Sequence, residues 1–359
     1  MLELKSILIL RFDHIGDVLL LTPVFRALKQ QCPDVKITVA VGSWAKAALD
    51  ANPDVDDIMI FDHPRFSRHG RLNVAKCLVE SIKFLFLIRR KKFDMIIDPR
   101  SNLSTLFFTS LSGARYRVGF DHGGRGLFLT TKTEEGIQSH QIDRNLSLLH
   151  AIGLQLPSQK KPVFVYSQDD SAWAKGLFAR LGLDNPLIVH SSAPWPPRRW
   201  PPERFAEIIT WFIENFKSKV VLIGSHEDMA ISQMTKQMVK QQLRDYVIDL
   251  SGKTTLKQTA AVIKLSRIYL GVESAPMHLA VAIGTPVVAL MGPGEYPRFA
   301  PYGEKDITIR TELKCSPCHQ DRNPTLMRCF KGCSACMDQI TVEKVKQQIL
   351  TMLQRDAAR

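Results

Sequence analysis

Two carboxylates four residues apart, Asp13 and Asp17, follow the apolar run Ile7-Leu8-Ile9-Leu10 within Arg11-Phe12-Asp13-His14-Ile15-Gly16-Asp17. A carboxylate in a loop just past a buried strand can take a proton from a substrate hydroxyl. The neighbouring Gly16 lets the backbone turn sharply or approach a ligand. Aspartate is also a favoured helix N-cap, so two readings of Asp17 stand, a base or a cap. Spacing alone does not choose between Asp13 and Asp17 as the base.

Anion-binding chemistry is concentrated in the second half of the chain. The segment from His190 to Pro201, His-Ser-Ser-Ala-Pro-Trp-Pro-Pro-Arg-Arg-Trp-Pro, begins where one apolar run ends and stops where a helical pattern starts. Ser191, Ser192 and the backbone N–H groups there can hold a phosphate, and Arg198 and Arg199 offer forked, charge-assisted hydrogen bonds to a diphosphate. The same residues also fit a proline-rich surface turn with solvated arginines. Gly271-Val272-Glu273-Ser274-Ala275-Pro276-Met277-His278 again passes from strand to helix, with Pro276 suited to the first helical position. The free N–H groups of that helix start form an anion site, and His278 in the first turn is either a donor to a phosphate oxygen or a structural histidine.

Five of seven cysteines crowd into residues 315–336 as C-x2-C-x10-C-x3-C-x2-C: Cys315, Cys318, Cys329, Cys333 and Cys336. Paired CxxC spacing favours structural zinc or iron, and buried free thiols are the other reading. No GxGxxG follows a strand and no Walker A motif is present. This argues against nicotinamide or flavin chemistry and against a P-loop phosphotransferase.

These residues need a scaffold of strands and helices in alternation. Apolar runs predict strands at 7–10, 36–41, 57–61, 93–98 and 117–120, with a helical stretch at 73–90 between the third and fourth. Residues 155–162, Gln-Leu-Pro-Ser-Gln-Lys-Lys-Pro, read as a linker. The pattern then restarts with strands at 187–190, 220–224, 246–250, 267–271 and 286–290, and helices at 202–216 and 342–353. Alternation of this kind predicts an α/β protein with two doubly wound parallel-sheet domains. Ligands in such sheets bind beyond the carboxyl ends of the strands, where each of the motifs above falls.

Hydrophobic residues make up 45% and charged residues 23%, a composition that suits a globular protein. No apolar run approaches the length of a membrane span, and the first residues lack the pattern of a signal peptide, so the expected location is the cytoplasm. The net charge of +13 is spread along the chain. Such a field either aids solubility or attracts anionic partners. Without a nucleic-acid-binding motif, acidic membrane surfaces and phosphorylated small molecules come before nucleic acid. Residues 82–92 mix apolar and basic side chains. They read as a buried helix with a solvated basic end, or as a segment whose Arg89, Arg90, Lys91 and Lys92 join Arg65, Arg68 and Arg71 on anionic lipid or a phosphorylated acceptor.

Ile15-Gly16-Asp17-Val18, Arg198-Arg199-Trp200-Pro201, Glu273-Ser274-Ala275-Pro276-Met277-His278, Gly284-Thr285-Pro286 and Cys315-Ser316-Pro317-Cys318 stand in an order that resembles glycosyltransferase family 9 over nearly the whole chain. That family comprises the lipopolysaccharide heptosyltransferases and their relatives. The resemblance implies a GT-B fold of two Rossmann-like domains facing a cleft. Residues 1–160 would bind acceptor, 161–340 would bind donor, and a helix at 341–359 would return to the first domain. It implies inverting transfer without a catalytic metal or required cofactor. The donor is expected to be a nucleotide sugar such as ADP-heptose. The acceptor is expected to be a lipopolysaccharide core or other anionic lipid-linked saccharide at the cytoplasmic face of the inner membrane, with no role for nucleic acid.

Carried over residue by residue, Asp17 matches the catalytic base, Arg198 the diphosphate-binding cation and Glu227 the ribose-binding carboxylate. Glu273, Ser274, Ala275 and His278 match the helix-start phosphate site, joined by Ser191 and Ser192. Acceptor contacts are expected from Asp13, Arg65, Arg100 and Arg117, and metal ligation, if any, from Cys315, Cys318, Cys329 and Cys336. Many members carry Asp-Thr-Gly or Asp-Ser-Gly where this chain has Glu273-Ser274-Ala275, a version closer to the later-acting core heptosyltransferases. A non-catalytic nucleotide-sugar binding module and a nucleotide-sugar epimerase are the competing readings.

Overall fold

The computed structural model describes residues 4–62, 74–134, 136, 139–303, 305–318, 329 and 334–357. The chain divides into two units, Met1–Val165 and Tyr166–Arg359, each built on a six-stranded sheet. Every strand pairing in both sheets is parallel.

The first unit runs β1 (Ser6–Leu10), α1 (Ile15–Leu19), α2 (Thr22–Gln31), β2 (Lys36–Val41), β3 (Asp57–Ile60), α3 (Val74–Lys91), β4 (Met95–Asp98), α4 (Leu103–Leu111), β5 (Tyr116–Phe120), β6 (Thr131–Thr133) and α5 (Gln141–His150). The sheet order is β3-β2-β1-β4-β5-β6. The central strands β1 and β4 are buried on both faces, which is why they read as unbroken apolar runs. β6 was not anticipated. Its Thr-Lys-Thr has no apolar residue, and an edge strand buries too little to leave a hydrophobic signature.

Below β1, Phe12, Phe61, Phe84 and Phe108 form one aromatic cluster, with α3 supplying Phe84 and α4 supplying Phe108. The Phe61 and Phe84 rings stack at 4.5 Å, and Phe12 meets Phe108 edge-on at 5.9 Å. The cluster therefore locks both helices against the residue that precedes Asp13.

The second unit runs α6 (Gln168–Leu181), β7 (Leu187–His190), α7 (Pro202–Phe216), β8 (Val220–Leu222), α8 (Met229–Met238), β9 (Val247–Asp249), α9 (Leu256–Lys264), β10 (Ile268–Val272), α10 (Ala275–Ile283), β11 (Val287–Met291), β12 (Ile307–Arg310), α11 (Ala335–Asp338) and α12 (Val342–Ala357). Its order, β12-β11-β10-β7-β8-β9, places β7 and β10 side by side at the centre. The strand order thus reverses between them, the position where doubly wound sheets bind ligands.

Two segments at the ends of the units are held in specific ways. The proline-containing segment after residue 154 is pinned to the first unit: Gln155 and Gln31 exchange hydrogen bonds, Val163 N–H donates to Thr22 Oγ1 at 2.8 Å, and Phe164 is buried. The division between the two units falls at Val165. Within the second unit α12 buries Val345, Ile349 and Met352 in the core, because apolar residues repeat along that one face. Its approach is fixed by Trp200 Nε1–H and Arg204, which both donate to the Ile340 carbonyl. No helix among the described residues is long and apolar enough to cross a membrane.

Phe108 is buried against three other rings, so Phe108→Ala should destabilise the first unit by about 3–5 kcal/mol. Urea unfolding monitored by circular dichroism checks this. A shift below about 1 kcal/mol would show that the cluster does not hold α3 and α4 in place.

Candidate active site

In the first unit the carboxyl ends of β1 and β4 carry a network of four charged side chains. Arg11 leaves β1 directly and is 4% exposed, and Asp13 is 2% exposed. Arg11 Nε lies 3.2 Å from Asp13 Oδ2, and Arg11 Nη2 donates to Asp17 Oδ1 at 2.8 Å. Arg100, two residues past β4, pairs with the other oxygen of Asp13. The Asp13 backbone is held in turn, since its carbonyl accepts Trp44 Nε1–H at 2.8 Å.

Asp17 is both cap and candidate base. His14, not Asp17, is the N-cap of α1, and Asp17 stands at the third helical position with its Oδ2 accepting the His14 N–H at 3.3 Å. One carboxylate oxygen is thus oriented by Arg11 and the other by the helix start. Asp17 is the more accessible of the two aspartates, whereas Asp13 is enclosed by guanidinium groups. The spacing left the base open between them, and Asp17 is the one whose carboxylate is the more exposed.

The expected acceptor residues separate. Asp13 and Arg100 join the network. Arg100 is placed by Asp98, a buried carboxylate that accepts the N–H groups of Arg100 and Ser101 and the Thr109 hydroxyl. Burial pushes the Asp98 carboxyl up against those hydrogen bonds. Arg117 lies near the amino end of β5, and its guanidinium donates to the carbonyls of Phe128 and Ala114. It therefore serves the loop after β5 and is not part of the Asp17 network. Arg65, with Arg68 and Arg71, lies outside the described residues.

In the second unit the ends of β7, β8 and β10 converge. Ser191 and Ser192 are buried just past β7. A tight turn at Pro196–Arg198 then presents Arg198, whose Nη1 donates to Glu273 Oε1 at 2.9 Å and whose guanidinium lies 5.5 Å from the Trp195 ring centre. Arg199 instead donates to the Ala193 carbonyl at 2.7 Å, which makes it a brace of the turn. Of the two adjacent arginines, Arg198 is thus the one joined to the strand end of β10. Ser274 caps α10, which starts at Ala275 with Pro276 second, and His278 is buried in the first turn. At this helix start Ala275 N–H is the backbone donor that suits an anion, since Pro276 has no N–H and the Met277 and His278 N–H groups donate to the Ser274 carbonyl. Glu227 is exposed on the turn after β8.

The sequence reading missed Arg11, Asp228 and His190 as polar anchors of these ends. The Ser274 hydroxyl lies 3.1 Å from His190 Nδ1, and His190 Nε2 lies 3.6 Å from Asp228 Oδ2. Asp228 also accepts Ser225 N–H and the Ser225 hydroxyl, each at 2.7 Å. Burial disfavours the charged form of Asp228, but the hydrogen bond and charge of His190, with the Ser192 and Ser225 hydroxyls, outweigh it and hold the carboxyl well below its ordinary value. Burial pushes the nearby Tyr269 phenol far up, against the Ser274 hydroxyl and with the Asp228 charge adding to the push. A Cβ at Gly271 would stand 2.5 Å from the Tyr269 hydroxyl oxygen and 3.0 Å from the His190 carbonyl, so only glycine lets β10 pass here. The only sequence sign of Asp228 was an acid three residues after Ser225, a capping-box spacing.

Because the Asp228 pKa is depressed on folding, its stabilisation is present above the ordinary carboxylate value of 3.8 and is lost as pH falls below it. Asp228→Asn should lower Tm at neutral pH and flatten the decline of Tm below about pH 3.8. Melting curves across that range check this. An undiminished acid decline in the variant would show that the pair with His190 contributes nothing.

Among the described residues no group of three or more His, Cys, Asp or Glu side chains could hold a metal ion. Cys315, Cys318, Cys329 and Cys336 therefore do not form the expected ligand set, and Cys333 lies outside the described residues. They are nonetheless neighbours. Burial raises the Cys318 thiol, and Cys329 and Cys315 raise it further; burial with Cys318 pushes Cys336 up to about 11. Cys336 is buried beside Met337, packed under the loop at Gly292 as a small apolar side chain.

A model of glycosyltransferase family 9 (heptosyltransferase) matches residues 83–327. Lipopolysaccharide heptosyltransferase 3 of Escherichia coli strain K12 is 24% identical over 298 residues, which span 81% of this chain and 84% of that protein. The crystal structure of the glycosyl transferase family 9 protein from Veillonella parvula DSM 2008 superposes with a TM-score of 0.83 at 22% identity, covering 99% of each chain. The structure of E. coli ADP-heptose lps heptosyltransferase II superposes with a TM-score of 0.78 at 20% identity, covering 98% of this chain and 100% of that one. These likenesses give the GT-B fold expected from the sequence, and the family match spans well over half of the residues. The chain belongs to glycosyltransferase family 9, the heptosyltransferases.

Proposed function

We propose that this protein is an inverting heptosyltransferase that moves heptose from ADP-heptose to a lipopolysaccharide core or related lipid-linked acceptor, without a catalytic metal, at the cytoplasmic face of the inner membrane. The similar proteins named above support the donor and acceptor classes. The observation that carries the reaction type is an accessible carboxylate, Asp17, held at the end of β1 by a buried arginine. Nucleotide-sugar binding alone has no use for such a group, whereas transfer needs a base on the acceptor hydroxyl.

In this reading Asp17 takes the proton as the acceptor oxygen bonds to the anomeric carbon. The bond to the nucleoside diphosphate breaks on the opposite face, which inverts the configuration. Negative charge grows on the diphosphate as it leaves. Arg198, Ser274, His278 and the start of α10 meet that charge with fixed donors. Ser191 and Ser192 line the same strand end, and Glu227 is the candidate for the ribose hydroxyls.

Asp17→Asn keeps an oxygen for the His14 N–H but cannot accept a proton at neutral pH. It should fold normally, bind ADP-heptose nearly as well as the parent protein and lose transfer by at least about 10²-fold. Asp13→Asn makes an informative contrast. It strips charge from a buried pair and should cost about 3–5 kcal/mol of stability. Near-normal turnover by Asp17→Asn at saturating acceptor would end its assignment as base.

Arg198→Ala should weaken donor binding and slow transfer together, and should also lower stability by removing the guanidinium from beside the buried Glu273 carboxylate. The double variant Arg198→Ala, Glu273→Gln should recover stability but not donor binding. Isothermal titration with ADP-heptose and thermal melting separate the two effects. Unchanged donor affinity in both variants would remove Arg198 from the site.

A further inference from the structure

The first unit presents an apolar surface that no element among the described residues covers. On α3, Phe84 and Ile88 face the core, yet Leu78, Ile82 and Phe86 line the outer side at four-residue spacing, and Phe86 is 69% exposed. α4 repeats the arrangement: Phe108 is buried, while Leu103, 68% exposed, Phe107 and Leu111 face outward. The two helices adjoin: Phe84 of α3 meets Phe108 of α4 at 5.3 Å, and Arg89 of α3 reaches the Leu111 carbonyl. The short turn Arg125–Phe128 packs against α4 and adds Leu127, 87% exposed, and Phe128. Single exposed apolar residues need no explanation, but a contiguous set from three successive segments does.

Charge identifies what covers this surface. α3 ends in Arg89, Arg90 and Lys91, followed by Lys92, all exposed. Lys91 pairs with Asp57, and Lys83 with Glu80. Arg90 and Lys92 have no acidic partner among the described residues. Large apolar side chains flanked by unpaired cations match the boundary of an anionic bilayer, where rings and aliphatic chains enter the acyl region and cations meet phosphates. A second copy of the chain would set these cations against one another.

We propose that the outward rows of α3 and α4, with Leu127 and Phe128, form an interfacial membrane-binding face that inserts apolar side chains into an anionic lipid bilayer. This rests on the reading that the protein works at a membrane, and it adds that attachment is by insertion and by these residues. Charge attraction alone would be abolished by salt, whereas insertion leaves a salt-resistant part.

Flotation of the full chain with vesicles of phosphatidylethanolamine and phosphatidylglycerol, and with phosphatidylcholine alone, tests it. The parent protein should float with the anionic vesicles and keep a salt-resistant fraction. Ile82→Gln, Phe86→Gln should bind at least about tenfold more weakly and lose that fraction, while transfer to a lipid-free acceptor is unchanged. Phe86→Trp should show an added blue shift of emission with these vesicles, and quenching by brominated lipid. Binding that salt abolishes, with the glutamine variant equal to the parent, overturns insertion and leaves peripheral attachment standing. No flotation at all overturns both. Normal vesicle binding by the glutamine variant, with dissociation of a dimer in light scattering, assigns the face to a second copy and overturns the proposal.

Discussion

Arg11 is enclosed at the end of a fully buried strand, and its charge is met by Asp13 and Asp17. A buried guanidinium without carboxylates would cost several kcal/mol, as would a buried Asp13 without its arginines. Arg11 and Asp13 are therefore stable only together, and with Asp17 and Arg100 they leave little choice of geometry. Asp17 is held at both oxygens, by Arg11 and by the start of α1. A carboxylate fixed in this way need not reorganise when an acceptor hydroxyl arrives. The loop after β4 joins through Arg100, so the two central strands of the sheet are tied at the same end.

The second unit solves a related problem differently. Its central strands β7 and β10 end in polar side chains that answer one another: His190 with Ser274 and Asp228, and Arg198 with Glu273. The Arg198–Glu273 bond uses one arm of a group that carries five N–H donors. Glu273 therefore sets the direction of the fork without exhausting it. Glu273 reaches across from the end of β10 to the turn after β7. Trp195 under the guanidinium and Arg199 on the Ala193 carbonyl stiffen the same turn.

Much of this was legible in the sequence. The buried strands announced themselves because a parallel strand covered on both faces is largely apolar, as Ile7–Leu10 of β1 and Leu187–Val189 of β7 are. The site motifs were visible because doubly wound sheets gather ligands at strand ends, which fixes where Ser191, Arg198 and Ser274 can matter. What stayed hidden depends on pairing in space. Arg11 was missed, and only its burial between Asp13 and Asp17 shows its part. Asp228 was missed too, and only its place beside His190 shows its part. Arg117 had the right charge and the wrong end of its strand. The edge strands β6 and β12 bury too little to leave a pattern, and the apolar stripe of α12 could not say which core it would join.

The apolar outer rows of α3 and α4 gain meaning from the same aromatic cluster that orders the site. Phe12 lies between Arg11 and Asp13, and it packs on Phe84 and Phe108, one from each helix. A helix anchored by its inner face to that ring has little freedom to tilt, because aromatic cores tolerate small displacements poorly. The outward row of α3, borne on the same turns as Phe84 and Ile88, is then fixed relative to the loop that carries Asp17. On the proposed function, a base must be brought to a hydroxyl on a lipid-linked saccharide, and this kind of coupling would serve it. Docking through a floppy segment would leave the height of the base above the bilayer undetermined, whereas docking through a helix braced on Phe12 sets it with the fold.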